Sequence, residues 1–94
     1  MIIRIVKMTF IPENVNEFLK VFNDAKNKIL NCEGCKHVEL LRDSERPGVL
    51  FTYSHWESPE HLEKYRNSEL FKTTWEKTKM LFAEKAEAWS LSQM

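Results

Sequence analysis

Residues 2–10 constrain the fold more than any other stretch, because apolar side chains occupy both alternating faces: Ile2, Val6, Met8 and Phe10 on one, Ile3 and Ile5 on the other. A strand with this pattern asks to be covered on both sides. The chain has 94 residues, enough for one hydrophobic core, so a single domain over residues 1–94 is expected. A domain of that size has a high surface-to-volume ratio and gains stability by burying more surface through association.

Pro12, Glu13 and Asn14 end the first strand, and Asn14 with Glu17 three residues later resembles a helix capping box. Val15, Phe18, Leu19, Phe22, Ala25 and Ile29 follow at steps of three and four, which predicts an amphipathic helix of about four turns. Gly34, in Asn31-Cys32-Glu33-Gly34, is the expected left-handed cap or turn residue. Residues 35–43 and 49–56 are β-type runs joined by the turn-rich Asp43-Ser44-Glu45-Arg46-Pro47-Gly48, a hairpin. Ser58 before Pro59 suits a helix start, with Leu62 and Tyr65 on the buried face. Ser68 is a second cap candidate, and Phe71, Trp75 and Phe82 continue the stripe, as two helices or as one broken near Asn67. Ala86 to Leu91 reads as a closing strand with Glu87, Trp89 and Leu91 on one face.

The order is β-α-β-β-α-β, so an α+β, ferredoxin-like βαββαβ fold is expected, with two helices covering one face of a four-stranded antiparallel sheet. The other face is left bare, yet the first strand is apolar on both sides and Val49-Leu50-Phe51-Thr52-Tyr53 nearly so. A bare apolar face of this extent marks an interface, and two copies packed sheet to sheet, a homodimer closing an α+β barrel, are expected. Lys plus Arg and Asp plus Glu both count 14, a net charge of zero, which removes mutual repulsion between copies. The same neutrality argues against nucleic acid or an anionic membrane as partner. No run approaches the ~18 apolar residues of a membrane span. The opening MIIRIVKMTF, broken by Arg4 and Lys7, does not read as a signal peptide, and two cysteines are too few for a disulfide scaffold, so a cytoplasmic location is expected.

Cys32-Glu33-Gly34-Cys35 has the C-x-x-C spacing of a redox pair or half a zinc site, but it lies at a helix C-terminus, where the dipole disfavours the thiolate. Two small residues around a turn are the simpler reading, and no metal is expected. His37 and His55 lie on neighbouring hairpin strands and can meet on one face as a proton-transfer pair or a pocket wall, whereas His61, in the first turn of a helix, should face solvent. Aromatic residues make up 12% of the chain, and beyond filling a core they allow an apolar pocket with Lys7, His37, Tyr53 or His55 in its wall. No glycine-rich phosphate loop, G-x-S-x-G elbow or H-E-x-x-H motif offers a seat for a nucleotide or zinc.

Glu33-Gly34-Cys35 after the first helix, and the run Trp56, Ser58, Leu62, Tyr65, Ser68 and Phe71, give the chain a resemblance to the antibiotic biosynthesis monooxygenase (ABM) superfamily over nearly its whole length. The resemblance implies a dimeric α+β barrel. It also implies a cofactor-independent monooxygenase that oxidises a small aromatic or quinol-type compound with molecular oxygen, the electron-rich, deprotonated ring itself passing an electron to oxygen. A site of that kind needs an apolar cavity, a base or hydrogen-bond donor for the phenolate, and exclusion of water. His55, Tyr65 and Tyr53 are the catalytic candidates it suggests. Lys7, Phe22, His37, Trp75 and Phe71 are the substrate-binding candidates, with Tyr53, His55, Tyr65 and Trp75 expected to meet between helices and sheet. The alternative is a non-catalytic small-molecule binding or sensing protein on the same dimeric fold.

Overall fold

The computed structural model describes residues 1–94 and contains one antiparallel sheet in the order β2-β3-β1-β4. Its strands are β1 (Ile2–Thr9), β2 (Cys35–Arg42), β3 (Val49–Trp56) and β4 (Glu87–Ser92). Helices α1 (Val15–Leu30), α2 (Pro59–Arg66) and α3 (Glu69–Lys79) cover one face. This is the α+β, ferredoxin-like arrangement expected. No helix is long and apolar enough to cross a membrane.

The doubly apolar β1 lies inside the sheet, hydrogen-bonded to β3 along one edge and β4 along the other. Its even-numbered residues face the helices: Ile2 opposes Trp56, Val6 opposes Thr52 and Met8 opposes Leu50. Its odd-numbered residues face away, Ile3 opposite His55 and Leu91, Ile5 opposite Tyr53 and Trp89, Lys7 opposite Phe51 and Glu87. The core lies between α1 and the helix side of the sheet, where Phe10, 2% exposed, stacks on Phe18 at 4.5 Å between ring centroids. Val15, Phe18, Phe22, Ala25 and Ile29 are buried along α1, matching the stripe read from its periodicity.

Local chemistry corrects two expectations and resolves one open choice. Asn14 forms no capping box; Pro12–Asn14 is a single 3-10 turn running into α1, and the Asn14 side chain donates instead to the Leu81 carbonyl at 3.3 Å. The choice between one broken helix and two resolves to two, because Ser68 Oγ accepts the Phe71 N–H at 3.1 Å and caps α3. His61 is not free in solvent: Ser58 Oγ lies 2.7 Å from its Nδ1, and its ring packs over Gly34.

Gly34 has φ +82, the left-handed conformation anticipated at the end of α1, and a Cβ there would collide with the His61 ring. Gly34→Ala therefore combines backbone strain of about 1–2 kcal/mol with a steric clash. Urea unfolding of this variant should show a midpoint shifted down by at least that free energy with an unchanged slope.

Candidate active site

Between the helices and the sheet lies a cavity of about 350 Å³. Its walls come from every element of the fold that faces inward: Val6 and Met8 from β1, Phe22 from α1, Tyr65 from α2, and Phe71 and Trp75 from α3. The aromatic rings form a continuous series. Trp56 stacks on Tyr65 at 4.9 Å, Tyr65 meets the edge of Phe71 at 5.3 Å, and Phe71 lies parallel to Trp75 at 5.9 Å with 10° between the planes. Trp56 is held in place by its indole N–H, which donates to Ser54 Oγ at 3.0 Å. Flat apolar walls of this kind suit a planar ring.

Four of the candidates read from the sequence, Phe22, Tyr65, Phe71 and Trp75, line this cavity. The other four do not, and the expected meeting of Tyr53 and His55 with Tyr65 and Trp75 does not occur. Tyr53 and His55 have the odd parity of β3 and Lys7 the odd parity of β1, so all three project from the opposite face of the sheet, as does His37, whose partner in the β2–β3 register is His55. There the three rings cluster, with Tyr53 and His55 4.9 Å apart and His37 5.5 Å from His55, while Lys7 lies 3.9 Å from Glu87. His37 Nε2 lies 3.1 Å from Glu39 Oε1, while His55 Nε2 is shielded from solvent with no hydrogen-bond partner in the chain.

Sequence reading missed the polar lining. Arg4 reaches the cavity from β1 and Arg66 from α2, with Thr52, Ser54 and Thr74 as hydroxyl-bearing residues. A signal for Arg4 was present, since it is the one charged residue in the row of Ile2, Val6 and Met8 that the helices cover. Tyr65 and the two arginines are the only ionisable groups of the lining; it contains no histidine, lysine, carboxylate or thiol. Burial pushes the Tyr65 hydroxyl well above the ordinary tyrosine value, and the nearby Cys32 and Cys35 raise it further. Tyr65 is thus a neutral phenol, a hydrogen-bond donor and not a base, across the physiological range. Burial, reinforced by the like charge of Arg66 and opposed by Glu63, lowers the Arg4 value from that of a free guanidinium.

Cys32 and Cys35 are free thiols flanking the turn at Gly34, and burial raises both above the usual cysteine value, the reverse of what a reactive thiolate requires. No group of three or more histidine, cysteine or acidic residues is arranged to hold a metal ion.

A small α+β domain with an aromatic cavity under its helices is the class these features define. The sequence profile described as antibiotic biosynthesis monooxygenase matches residues 1–77, and the chain belongs to that family. The match ends before β4, which completes the sheet. Among solved structures, a conserved protein from Methanosarcina mazei Go1 superposes with a TM-score of 0.94 at 23% identity, covering 100% of this chain and 94% of that one. An antibiotic biosynthesis monooxygenase superposes at 0.93 with 16% identity, covering 100% of this chain and 99% of that one. Rv0793 from Mycobacterium tuberculosis follows at 0.91 with 14% identity, covering 99% and 94%. No curated protein matches the sequence.

Proposed function

We propose that this protein is a cofactor-independent monooxygenase that takes a small aromatic or quinol-type compound into the cavity beneath its helices and oxidises it with molecular oxygen. The observation that supports this is the cavity itself, aromatic-walled and shielded by α1, α2 and α3, in a member of a monooxygenase family. The substrate supplies the electrons. Ionisation of a ring hydroxyl, its proton passing to solvent, makes the ring electron-rich enough to reduce oxygen; at a ring methylene one oxygen atom becomes the carbonyl and the other leaves as water with the two methylene hydrogens. Phe22, Phe71 and Trp75 hold the ring and keep water out, and Tyr65 serves as hydrogen-bond donor rather than base.

The same reading gives the open face a role. Leu41, Trp89 and Leu91 are 42–45% exposed there, beside the half-buried Ile3, Ile5 and Phe51. A second copy of the chain covers this face and closes a barrel, and the unpartnered His55 Nε2 favours a covering surface with a polar group to meet it. His37, Tyr53, His55 and Lys7 then line the joint between copies instead of the cavity.

One observation favours the second reading, a non-catalytic binder or sensor: no general base lines the cavity. Oxygen uptake with a panel of anthrones and hydroquinones separates the two. The enzyme consumes oxygen above buffer with at least one member, and Ala88→Trp, which places an indole in the cavity from β4, abolishes that uptake while the fold persists. Quenching of tryptophan fluorescence by the same compounds without oxygen uptake would leave the binder.

A further inference from the structure

The β1 row that the helices cover, Ile2, Arg4, Val6 and Met8, is apolar except at one point, and that point is cationic. Arg4 is half-buried between Ile2 and Val6 on this face, opposite Ser54 on one neighbouring strand and Ser90 on the other. Its Nη1 donates to Ser90 Oγ at 2.9 Å, which engages one of the five N–H donors of a guanidinium. No carboxylate lies within ion-pair distance of it, whereas Lys7, Lys36, Lys64, Arg46 and Arg66 each have one. The second guanidinium of the lining, Arg66, is paired only with Glu63 at 3.4 Å on the exposed side of α2. Two positive charges thus converge on one cavity, and the single carboxylate near them is already engaged by Arg66.

A half-buried cation without a counter-ion is costly unless something supplies the charge. The remainder of the lining supplies none. Ser54 Oγ accepts the Trp56 indole N–H and Thr78 Oγ1 donates to the Thr74 carbonyl, and hydroxyl groups of this kind carry no negative charge to set against a guanidinium. Beyond the arginines and a few hydroxyls the walls are largely apolar and aromatic, with Trp56 stacked on Tyr65 at 23° between the planes and Phe71 lying parallel to Trp75. Charge at one point and flat apolar surface elsewhere describe a ligand with the same division.

We infer that the cavity binds its ligand as an anion, a planar aromatic whose carboxylate or ionised phenol oxygen is held by Arg4, with Arg66 completing the positive mouth. The inference rests on the reading of this cavity as a small-molecule site and deepens it. It also answers how a cavity without a base handles an acidic substrate. The arginines lower the cost of the anionic form, so the ligand arrives ionised or gives its proton to solvent on entry, and no side chain has to remove it.

Isothermal calorimetry on the whole chain tests this with three probes of similar shape: naphthalene-1-carboxylate, 2,4-dinitro-1-naphthol, which is ionised at neutral pH, and the neutral naphthalene-1-methanol. The anions should bind at least roughly 10-fold more tightly than the neutral probe, and Arg4→Gln should weaken them by roughly 10- to 100-fold, the worth of a charge-assisted hydrogen bond, without altering the neutral probe. Arg66→Gln, on an exposed helix surface where folding is not at risk, should weaken the anions by a smaller factor and reduce the salt dependence of their binding. Preference for one anion over the other assigns the headgroup as carboxylate or phenolate and supports the inference in either case. Equal affinity for charged and neutral probes, or an anion preference untouched by both substitutions, overturns it. Binding of none of the three overturns the small-molecule reading of the cavity instead.

Discussion

Ile5→Asp is expected to convert the proposed dimer into a folded monomer, the largest effect any single substitution on the open face should have on this protein. Ile5 stands at the centre of the open face, between Tyr53 on β3 and Trp89 on β4. In an isolated chain an aspartate there projects toward water and costs little. In a two-fold pair the same position occurs once from each copy, and each carboxylate is buried without a partner at several kcal/mol, so the dissociation constant should rise by roughly 1,000-fold or more. Sedimentation equilibrium should report twice the 11.2 kDa chain mass for the parent and the single mass for the variant, with helical circular dichroism retained in both. A parent protein of single mass at micromolar concentration would contradict the proposed dimer.

Phe10→Ala is the second large effect, and it falls on the fold instead of the assembly. Phe10 touches Phe18 at 4.5 Å and Phe82 at 5.3 Å, and it is tied in place by its N–H to the Gly48 carbonyl at 2.8 Å. It thereby joins the end of β1 to α1, to the β2–β3 link and to the segment that follows α3. Truncation leaves a cavity among rigid neighbours and should cost about 3–5 kcal/mol. For a domain of this length that lowers the melting temperature by at least ~12 °C and consumes much of a total stability of about 5–15 kcal/mol. Because Phe10 does not line the site, a variant kept folded at low temperature should still bind cavity ligands.

Much of the fold was legible in the sequence because its elements are amphipathic in distinct periods. Val49–Trp56 and the buried stripe of α1 appear in the structure where the alternation and the three-four spacing placed them. What failed was chemistry that depends on neighbours distant in sequence. Asn14 looks like a cap by spacing, but Pro12 starts a 3-10 turn and Leu81 offers a carbonyl, and neither competing interaction shows in an Asn-x-x-Glu pattern. The site failed for a related reason. Tyr53, His55 and Tyr65 are chemically similar candidates, and only the register that pairs Ile5 with Tyr53 and Ile3 with His55 shows that the two β3 residues face away from the helices. The parity rule that excludes them selects Arg4, which was passed over because it sits in a strand dominated by isoleucine.

Three tryptophans divide the molecule in a way that one spectrum can read: Trp56 and Trp75 line the cavity, and Trp89 stands on the open face. In a two-dimensional ¹H–¹⁵N correlation spectrum each indole N–H gives its own signal. Titration with an aromatic compound that supports oxygen uptake should move the Trp75 and Trp56 signals in a saturable manner and leave Trp89 in place. Movement of Trp89 alone, with Trp75 and Trp56 unchanged at saturation, would put the ligand on the opposite side of the sheet and contradict the assignment of the cavity as the site of chemistry.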